Sequence, residues 1–339
     1  MRKLKIGING FGRIGRIASR IILNRSNLEL VTINSRSDSS SHAYLLKYDS
    51  TYGTLPQDVR ADHNSLVIDG KKISVFNYAT PGEIPWDTSG IDIVIDSTGK
   101  FRTQSELKNH LKNGVKYVVL SAPAKDETKT FVLGVNHASF NSTKDTIISN
   151  SSCTTNCLAT TLKVLDDNFK VKRAFMTTIH AVTDSQNLLD NSHNKEVRLR
   201  RASLASMIPA STGSARDIGK LFPDLSGKII CQAIRVPLLT VSLINLSCEI
   251  EVPTDKEMVN QAFKKSEERG LKGILATSKL ELVSKDYTGS PYSSIVDTFL
   301  TQVNGGNLVN VYAWYDNEWG YTSRLIDMLE FVGKKANLI

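Results

Sequence analysis

KLKIGINGFGRIGRIASRIILNR, residues 3–25, decides how the first half of the chain folds. The apolar run Lys3–Ile8 leads into Gly10-Phe11-Gly12-Arg13-Ile14-Gly15, and apolar residues then recur at helical spacing through Ile22. Strand, glycine turn and helix in that order are the context in which GxGxxG binds a dinucleotide. Glycine permits the tight turn and lets backbone come close, so the amides of the first helical turn, at Arg13 and Ile14, can bind a pyrophosphate.

Working outward, LELVTIN (28–34), IDIVIDST (91–98), YVVLSA (117–122) and TIISNSS (146–152) are further short apolar runs, often β-branched. Helical patterns such as TQSELKNHLKNG (103–114) separate some of them, which predicts a parallel, doubly wound α/β sheet of Rossmann type. SLVIDGKKISVFNY (65–78) reads as a hairpin turned at Asp69-Gly70. Thr98, Gly99 and Ser121 follow strands at the carboxyl edge, where such sheets place their ligands. The second strand ends Ile33-Asn34-Ser35-Arg36-Ser37, with no carboxylate at its tip for a ribose diol. Hydroxyls and a guanidinium can bind a 2′-phosphate that a carboxylate would repel, so the tip leans towards NADP or dual use. The alternatives have Arg36 pointing to solvent, or Asp38 taking the ribose role, which keeps NAD open.

After about residue 152 the pattern changes. FMTTIHAV (175–182), IICQAIRVPL (229–238), VSLINLSCEIEV (241–252), SSIVDTFLTQV (293–303) and NLVNVYAWY (307–315) are longer strand-like runs with fewer helices between them, which predicts an antiparallel or mixed sheet in an α+β arrangement. EWGYTSRLIDMLEFVGKK (318–335) is helical in spacing and is expected to pack on the first domain. The expected domains are therefore 1–152, completed by a C-terminal helix within 316–339, and a catalytic domain over 153–315. A length of 339 residues suits two cores.

The bulk numbers narrow the class. No run approaches the roughly 20 apolar residues of a membrane helix, and the start reads as a strand, so a cytosolic chain is expected. Cysteines at 153, 157, 231 and 248 are too few and scattered for a disulfide framework, and CxxxC matches no zinc or redox motif, so no metal is expected. A net charge of +8 suits small anionic substrates better than nucleic acid: the densest basic run, Arg198-Leu199-Arg200-Arg201, is short.

SNSSCTTNCLATTL (149–162) places one cysteine among small hydroxyl residues where a helical pattern begins. A helix start favours thiolate over thiol, which makes Cys153 a candidate nucleophile; Cys157, one turn further in, is expected in the core. Ser211-Thr212-Gly213 precedes the helical run SARDIGKLF and so offers hydroxyls and free amides to an anion. Arg235, inside an apolar strand, is costly to bury without an anionic partner.

GINGFGRIGR, SNSSCTTNCLA, HAVTDSQ, IPASTG, IRVP and WYDNEWGY, in this order across the chain, closely resemble phosphorylating glyceraldehyde-3-phosphate dehydrogenases. The resemblance implies a homotetramer that oxidises a small phosphorylated aldehyde with NAD or NADP and inorganic phosphate. It implies Cys153 as nucleophile and His180, 27 residues on, as general base. Ser152, Thr154, Arg201, Thr212 and Gly213 would serve the attacking phosphate, and Thr183 and Arg235 the substrate phosphate. Asn317 would orient the nicotinamide carboxamide, with Tyr321 flanking the ring.

Three departures gather near the adenosine. NAD-linked members carry Asp where Ser35 stands, many carry Arg where Ala79 stands, and the loop Leu189–His193, with Ser192, resembles chloroplast NADP-using relatives. None touches the chemistry. Erythrose-4-phosphate dehydrogenase, a sister enzyme with water as acceptor, is the nearest competitor, and the intact Ser211-Thr212-Gly213 favours phosphate over it. A non-catalytic nucleotide- or RNA-binding role is the competitor of another class, and Cys153 together with His180 argues against it.

Overall fold

The computed structural model describes residues 2–193 and 196–339. Its chain divides into two compact units, residues 1–131, 137–151 and 322–339 in one and 132–136 and 152–321 in the other.

The first unit contains β1 (Leu4–Asn9), α1 (Arg13–Ile22), β2 (Leu28–Asn34), α2 (Ser39–Lys47), β3 (Val59–Asp62), β4 (Ser65–Ile68), β5 (Lys71–Phe76), β6 (Ile93–Asp96), α3 (Gln104–Leu107), β7 (Tyr117–Leu120) and β8 (Ile147–Ser149). The sheet order is β3-β4-β5-β2-β1-β6-β7-β8. From β5 to β8 every pairing is parallel, and β6 and β7 are buried throughout, which is why they read as unbroken apolar runs. The hairpin turns at Asp69 and Gly70, both at positive φ, as a tight two-residue connection requires. β3, which pairs antiparallel with β4, carries no clear sequence signal. TIISNSS is strand only over Ile147–Ser149: Ser151 adopts φ +56 and turns the chain sharply before Ser152.

The second unit begins with α4 (Cys153–Phe169), followed by β9 (Val171–His180), β10 (Ile208–Ala210), α5 (Ser214–Leu221), β11 (Ile229–Arg235), β12 (Ser242–Ile250), α6 (Lys256–Glu268), β13 (Leu275–Ser278), β14 (Ser294–Asp297), β15 (Gln302–Asn304) and β16 (Leu308–Tyr315). Its sheet runs β10-β11-β9-β12-β16-β14-β13, with β15 on β16. β11 is parallel to β9 and β13 to β14, while β12 and β16 are antiparallel to their neighbours, so the sheet is mixed. Alternate residues of β12 and β16 are buried on one face under α4, α5 and α6, and Cys157 lies in this core. SSIVDTFLTQV is two strands and not one, because the Asp297 carboxylate accepts the Phe299 amide at 3.2 Å and turns the chain. α7 (Trp319–Lys335) starts in this unit, and residues 322–339 belong to the first.

Candidate active site

On the first unit the three motif glycines answer to different neighbours. Gly10 has φ +95, and a Cβ there would lie 2.7 Å from the Thr98 amide nitrogen. A Cβ at Gly15 would run into the Gly10 carbonyl oxygen, so the fold itself demands both glycines. Gly12, the N-cap of α1, has ordinary φ, and a Cβ there would meet nothing within 4 Å. Among the described residues nothing fills that space, which leaves room for a pyrophosphate on the α1 amides. Gly12→Ala should therefore shift stability by only about 1 kcal/mol, while Gly15→Ala should cost about 2 kcal/mol or more. Thermal melts and the cofactor KM check this: the Gly12 variant should melt near wild type with a KM raised ~10-fold or more, equivalent to about 1.4 kcal/mol.

The edge that carries these glycines rests on a buried polar chain. Asn34 Nδ2 donates to Asn9 Oδ1 and Asn9 Nδ2 to Asp96 Oδ2, each at 2.8 Å. The indole N–H of Trp86 can only donate, so His110 Nδ1 accepts it at 3.1 Å, and His110 Nε2 carries the proton donated to Asp96 at 3.2 Å. Asp96 also accepts from the Thr98 amide and hydroxyl, and Ser121 N–H donates to the Asp96 carbonyl. The loop with Thr98 and Gly99 is thus held from below by groups that sequence reading did not single out.

At the tip of β2, Ser35 is half-buried and donates its amide to Phe76, while Arg36 is exposed without a carboxylate partner among the described residues. Asp38 caps α2: its carboxylate accepts the Ser41 amide at 2.8 Å and hydroxyl at 2.7 Å, and those bonds hold its pKa below the usual carboxylate range. Each Asp38 oxygen thus has one partner at the start of α2. Arg13 presents its amide at the start of α1, with its guanidinium bound to Asp49 at 2.5 Å.

On the second unit Ser152 caps α4, its hydroxyl accepting the Thr155 amide at 3.1 Å, and Cys153 is the first helical residue. His180 ends β9, with Nε2 3.6 Å from Cys153 Sγ. Parallel pairing of β9 and β11 sets Arg235 beside His180. Arg235 is half-buried, and Nη1 lies 2.6 Å from His180 Nδ1 and 3.4 Å from the Ala181 oxygen, with no carboxylate partner among the described residues. That leaves a cation beside the thiol without an anion.

Burial pushes the Cys153 thiol above its ordinary value; Arg235 and the helix-start amides of Thr154 and Cys153 act the other way. The helix start thus acts in the expected direction, against the larger effect of burial. Burial, and then Arg235, lower His180 to about 3, so it rests neutral. A proton passed from Sγ to Nε2 makes an ion pair at 3.6 Å, whose attraction is on the order of 4–5 kcal/mol at an effective dielectric near 20. That attraction opposes both desolvation costs.

The start of α5 adjoins that of α4. Thr155 Oγ1 donates to Ser214 Oγ at 3.4 Å, and Ser214 Oγ lies 3.0 Å from Thr212 Oγ1. Gly213 caps α5 without a side chain, and a Cβ there would meet nothing within 4 Å among the described residues. Ser152, Thr154, Thr212 and Gly213 thus gather around two helix N-termini, a setting that suits an anion.

Tyr315, which sequence reading missed, joins these parts. Its buried hydroxyl lies 2.9 Å from Thr154 Oγ1 and 2.8 Å from Thr178 Oγ1, and its ring packs edge-on against His180. A tyrosine that closes an otherwise apolar inward stripe was the available signal. Asn317 is fixed as well: Ala181 N–H donates to Ser242 Oγ, whose O–H donates to Asn317 Oδ1 at 3.0 Å. Among the described residues the Asn317 amide nitrogen has no acceptor, so it is left to donate. Tyr321 is buried in the first turn of α7.

Other expected residues are not bonded to this group. The Thr183 hydroxyl lies 3.0 Å from that of Ser185, in its own loop. Arg201 is exposed and pairs with Asp190 at 3.3 Å, and Ser192 is exposed in the same loop.

Comparison with known proteins agrees over nearly the whole chain. Residues 4–104 match the family model described as glyceraldehyde 3-phosphate dehydrogenase, NAD binding domain, and residues 152–317 match the corresponding C-terminal domain. The chain is 47% identical over 332 residues to glyceraldehyde-3-phosphate dehydrogenase 1 of Bacillus cereus, covering 98% of this chain and 99% of that protein. It is similar also to glyceraldehyde-3-phosphate dehydrogenase 2 of Trichormus variabilis, 47% identical over 335 residues, and to the Geobacillus stearothermophilus enzyme, 44% over 333, with the same two coverages in each case.

Proposed function

We propose, from the premise that this chain belongs to the glyceraldehyde-3-phosphate dehydrogenase family, how its own residues carry the reaction. The chain is an oxidoreductase acting on the aldehyde group, and it catalyses the phosphorylating oxidation of glyceraldehyde 3-phosphate. The observation that carries the reading is the pairing of a helix-start thiol with an imidazole nitrogen at 3.6 Å. Cys153 Sγ gives its proton to His180 Nε2 and adds to the aldehyde carbon, and the carbonyl oxygen takes the proton to become a hemithioacetal hydroxyl. His180 then takes that hydroxyl proton as the C–H bond breaks, leaving a thioester on Cys153. The bound nicotinamide cofactor supplies the hydride acceptor. Inorganic phosphate attacks the thioester carbon, the C–S bond breaks, and an acyl phosphate leaves with the thiolate restored. The Cys153 amide, with His180, stabilises the oxyanion in both additions.

Ser152, Thr154, Thr212 and Gly213 are assigned to the attacking phosphate, supported by the two adjoining helix starts. Arg201 belongs with them on leaving Asp190, an exposed pair worth at most ~1 kcal/mol. Arg235 and Thr183 are assigned to the substrate phosphate. Asn317, with its donor end presented, is assigned to the carboxamide, and Tyr321 to the ring's surroundings. Gly10, Gly12, Arg13, Ile14, Gly15, Thr98, Gly99 and Ser121 form the cofactor-binding edge, whose open space at Gly12 fits a pyrophosphate. A homotetramer is the proposed assembly, supported by Phe175 and Ile230, which are 64% and 55% exposed and adjacent across β9 and β11 on the open sheet face.

NADP, or use of both cofactors, is proposed on the carboxylate-free tip at Ser35 and Arg36, with Ser192 as a further contact. Initial rates with glyceraldehyde 3-phosphate and phosphate should give kcat/KM for NADP at or above that for NAD. Ser35→Asp should turn the ratio towards NAD by roughly 10–100-fold, the scale of one charge-assisted hydrogen bond. A wild type that clearly prefers NAD overturns this reading of the tip and leaves the reaction intact.

A further inference from the structure

Two contacts in the active site compete for one atom. His180 Nδ1 lies 2.7 Å from the Ala181 carbonyl oxygen and 2.6 Å from Arg235 Nη1. A neutral imidazole nitrogen either donates or accepts, and a guanidinium only donates. With its proton on Nδ1, His180 donates to Ala181, and that N–H confronts an N–H of Arg235. With its proton on Nε2, Nδ1 accepts from Arg235, and Ala181 keeps only the longer Arg235 bond of 3.4 Å. Nε2 then points an N–H at Cys153 Sγ, 3.6 Å away, and cannot take up a proton. The first arrangement sets a cationic donor against an N–H, and the second sets the Nδ1 lone pair against the neutral Ala181 oxygen; the charge-assisted Arg235 bond is the stronger of the two, so Arg235 in this position selects the tautomer that cannot act as base.

We propose that Arg235 is a positioning residue that sets the tautomer of His180, and that a phosphate monoester drawn to Arg235 frees His180 to act as the base. The proposal rests on the reading of Cys153 and His180 given above. A monoester dianion offers a guanidinium two oxygen acceptors in charge-assisted bonds, a stronger partner than imidazole. With Arg235 turned to that anion, the His180 proton settles on Nδ1 against Ala181 and the Nε2 lone pair faces sulfur. The Sγ proton can then cross to Nε2. The charged and titratable groups facing His180 are Cys153 from α4, Arg235 from β11 and Tyr315 from β16, while β12 brings Ser242, which is uncharged. The substrate's own phosphate would thus ready the base that oxidises it, and an aldehyde without one would meet a base turned the wrong way.

The test is the labelling rate of Cys153 by iodoacetamide, an uncharged reagent, between pH 6 and 9 with increasing methyl phosphate. In the wild type, methyl phosphate should accelerate labelling ~10-fold near neutral pH and move the profile down by about one pH unit. Arg235→Met, which keeps an apolar stem and loses every donor, should label at the faster rate without methyl phosphate and ignore its addition. Wild-type labelling that is unchanged or slowed overturns the proposal, with no variant needed. A folded Arg235→Met protein that labels more slowly also overturns it, since the pull of Arg235 on the thiolate would then outweigh its hold on His180. Phosphate-dependent turnover of glyceraldehyde 3-phosphate is measured on the same wild-type batch: its absence sinks the enzymatic reading, whereas turnover with flat labelling sinks the tautomer proposal alone.

Discussion

Cys153→Ser should abolish phosphate-dependent turnover, with a loss on the order of 10⁴–10⁶-fold, the scale for removing a nucleophile that acts within a unit. An alcohol in the same place has neither the acidity nor the leaving ability of a thiol, so both the addition to the aldehyde and the release of the acyl group suffer. The fold should not change, because Ser152 still caps α4 and serine fits the space of cysteine. The companion measurement is brief iodoacetamide treatment of the wild type, with each cysteine resolved by mass spectrometry. Cys153 should carry the first adduct and turnover should fall in step. Cys157 and Cys248 are buried in the core, where burial pushes their thiols far up. Cys231 is half-buried, and burial pushes it up to about 12. Among the described residues none of these has an imidazole bonded to its sulfur, as Cys153 has. A first adduct on Cys231, or a Cys153→Ser protein that still turns over, would remove Cys153 from the mechanism.

How far a single sequence discloses such a site depends on whether each contact is local or distant. The glycine turn was legible because strand, turn and helix are consecutive, and the start of α4 because its hydroxyl cap directly precedes a helical run. Chain order did not disclose that Arg235 and His180 would be neighbours: that pairing joins strands 55 residues apart in parallel register. The hydroxyl bridge of Tyr315 spans 161 residues to Thr154 and is of the same kind. Local patterns also misled where a polar side chain overrode them. Asp297 turns the chain inside a continuous apolar run, and β10 and β13 are too short to show a period. Asp38 is a candidate ribose ligand on one reading of the strand tip, and an Asp followed three residues later by a serine at the start of a helix is also a cap, which it is for α2.

His180→Asn should lower kcat by roughly 10²–10⁴-fold, the usual contribution of a positioned general base, with little change in the cofactor KM. The amide keeps the shape and can still bond to the Ala181 carbonyl, but it cannot take the hemithioacetal proton as hydride leaves. Hydride transfer should then limit the rate, and aldehyde deuterated at C1 should show a primary isotope effect that the wild type lacks or shows more weakly. The same variant has a signature in stability that catalysis does not enter. His180 has its pKa lowered from 6.5 to about 3 in the folded chain, by burial first and Arg235 second. Between those values the unfolded chain binds a proton that the folded chain does not, so stability rises with pH across the window and is lost as pH falls from about 6.5. One such group contributes at most about 1.4 kcal/mol per pH unit. His42 and His137 are lowered as well, chiefly by burial, and remain in the variant. Thermal melts from pH 7.5 to 4.5 should therefore fall less steeply for His180→Asn than for wild type without becoming flat. Parallel curves would mean that His180 is not held neutral in the folded chain, and an unchanged kcat would mean that another group takes the proton.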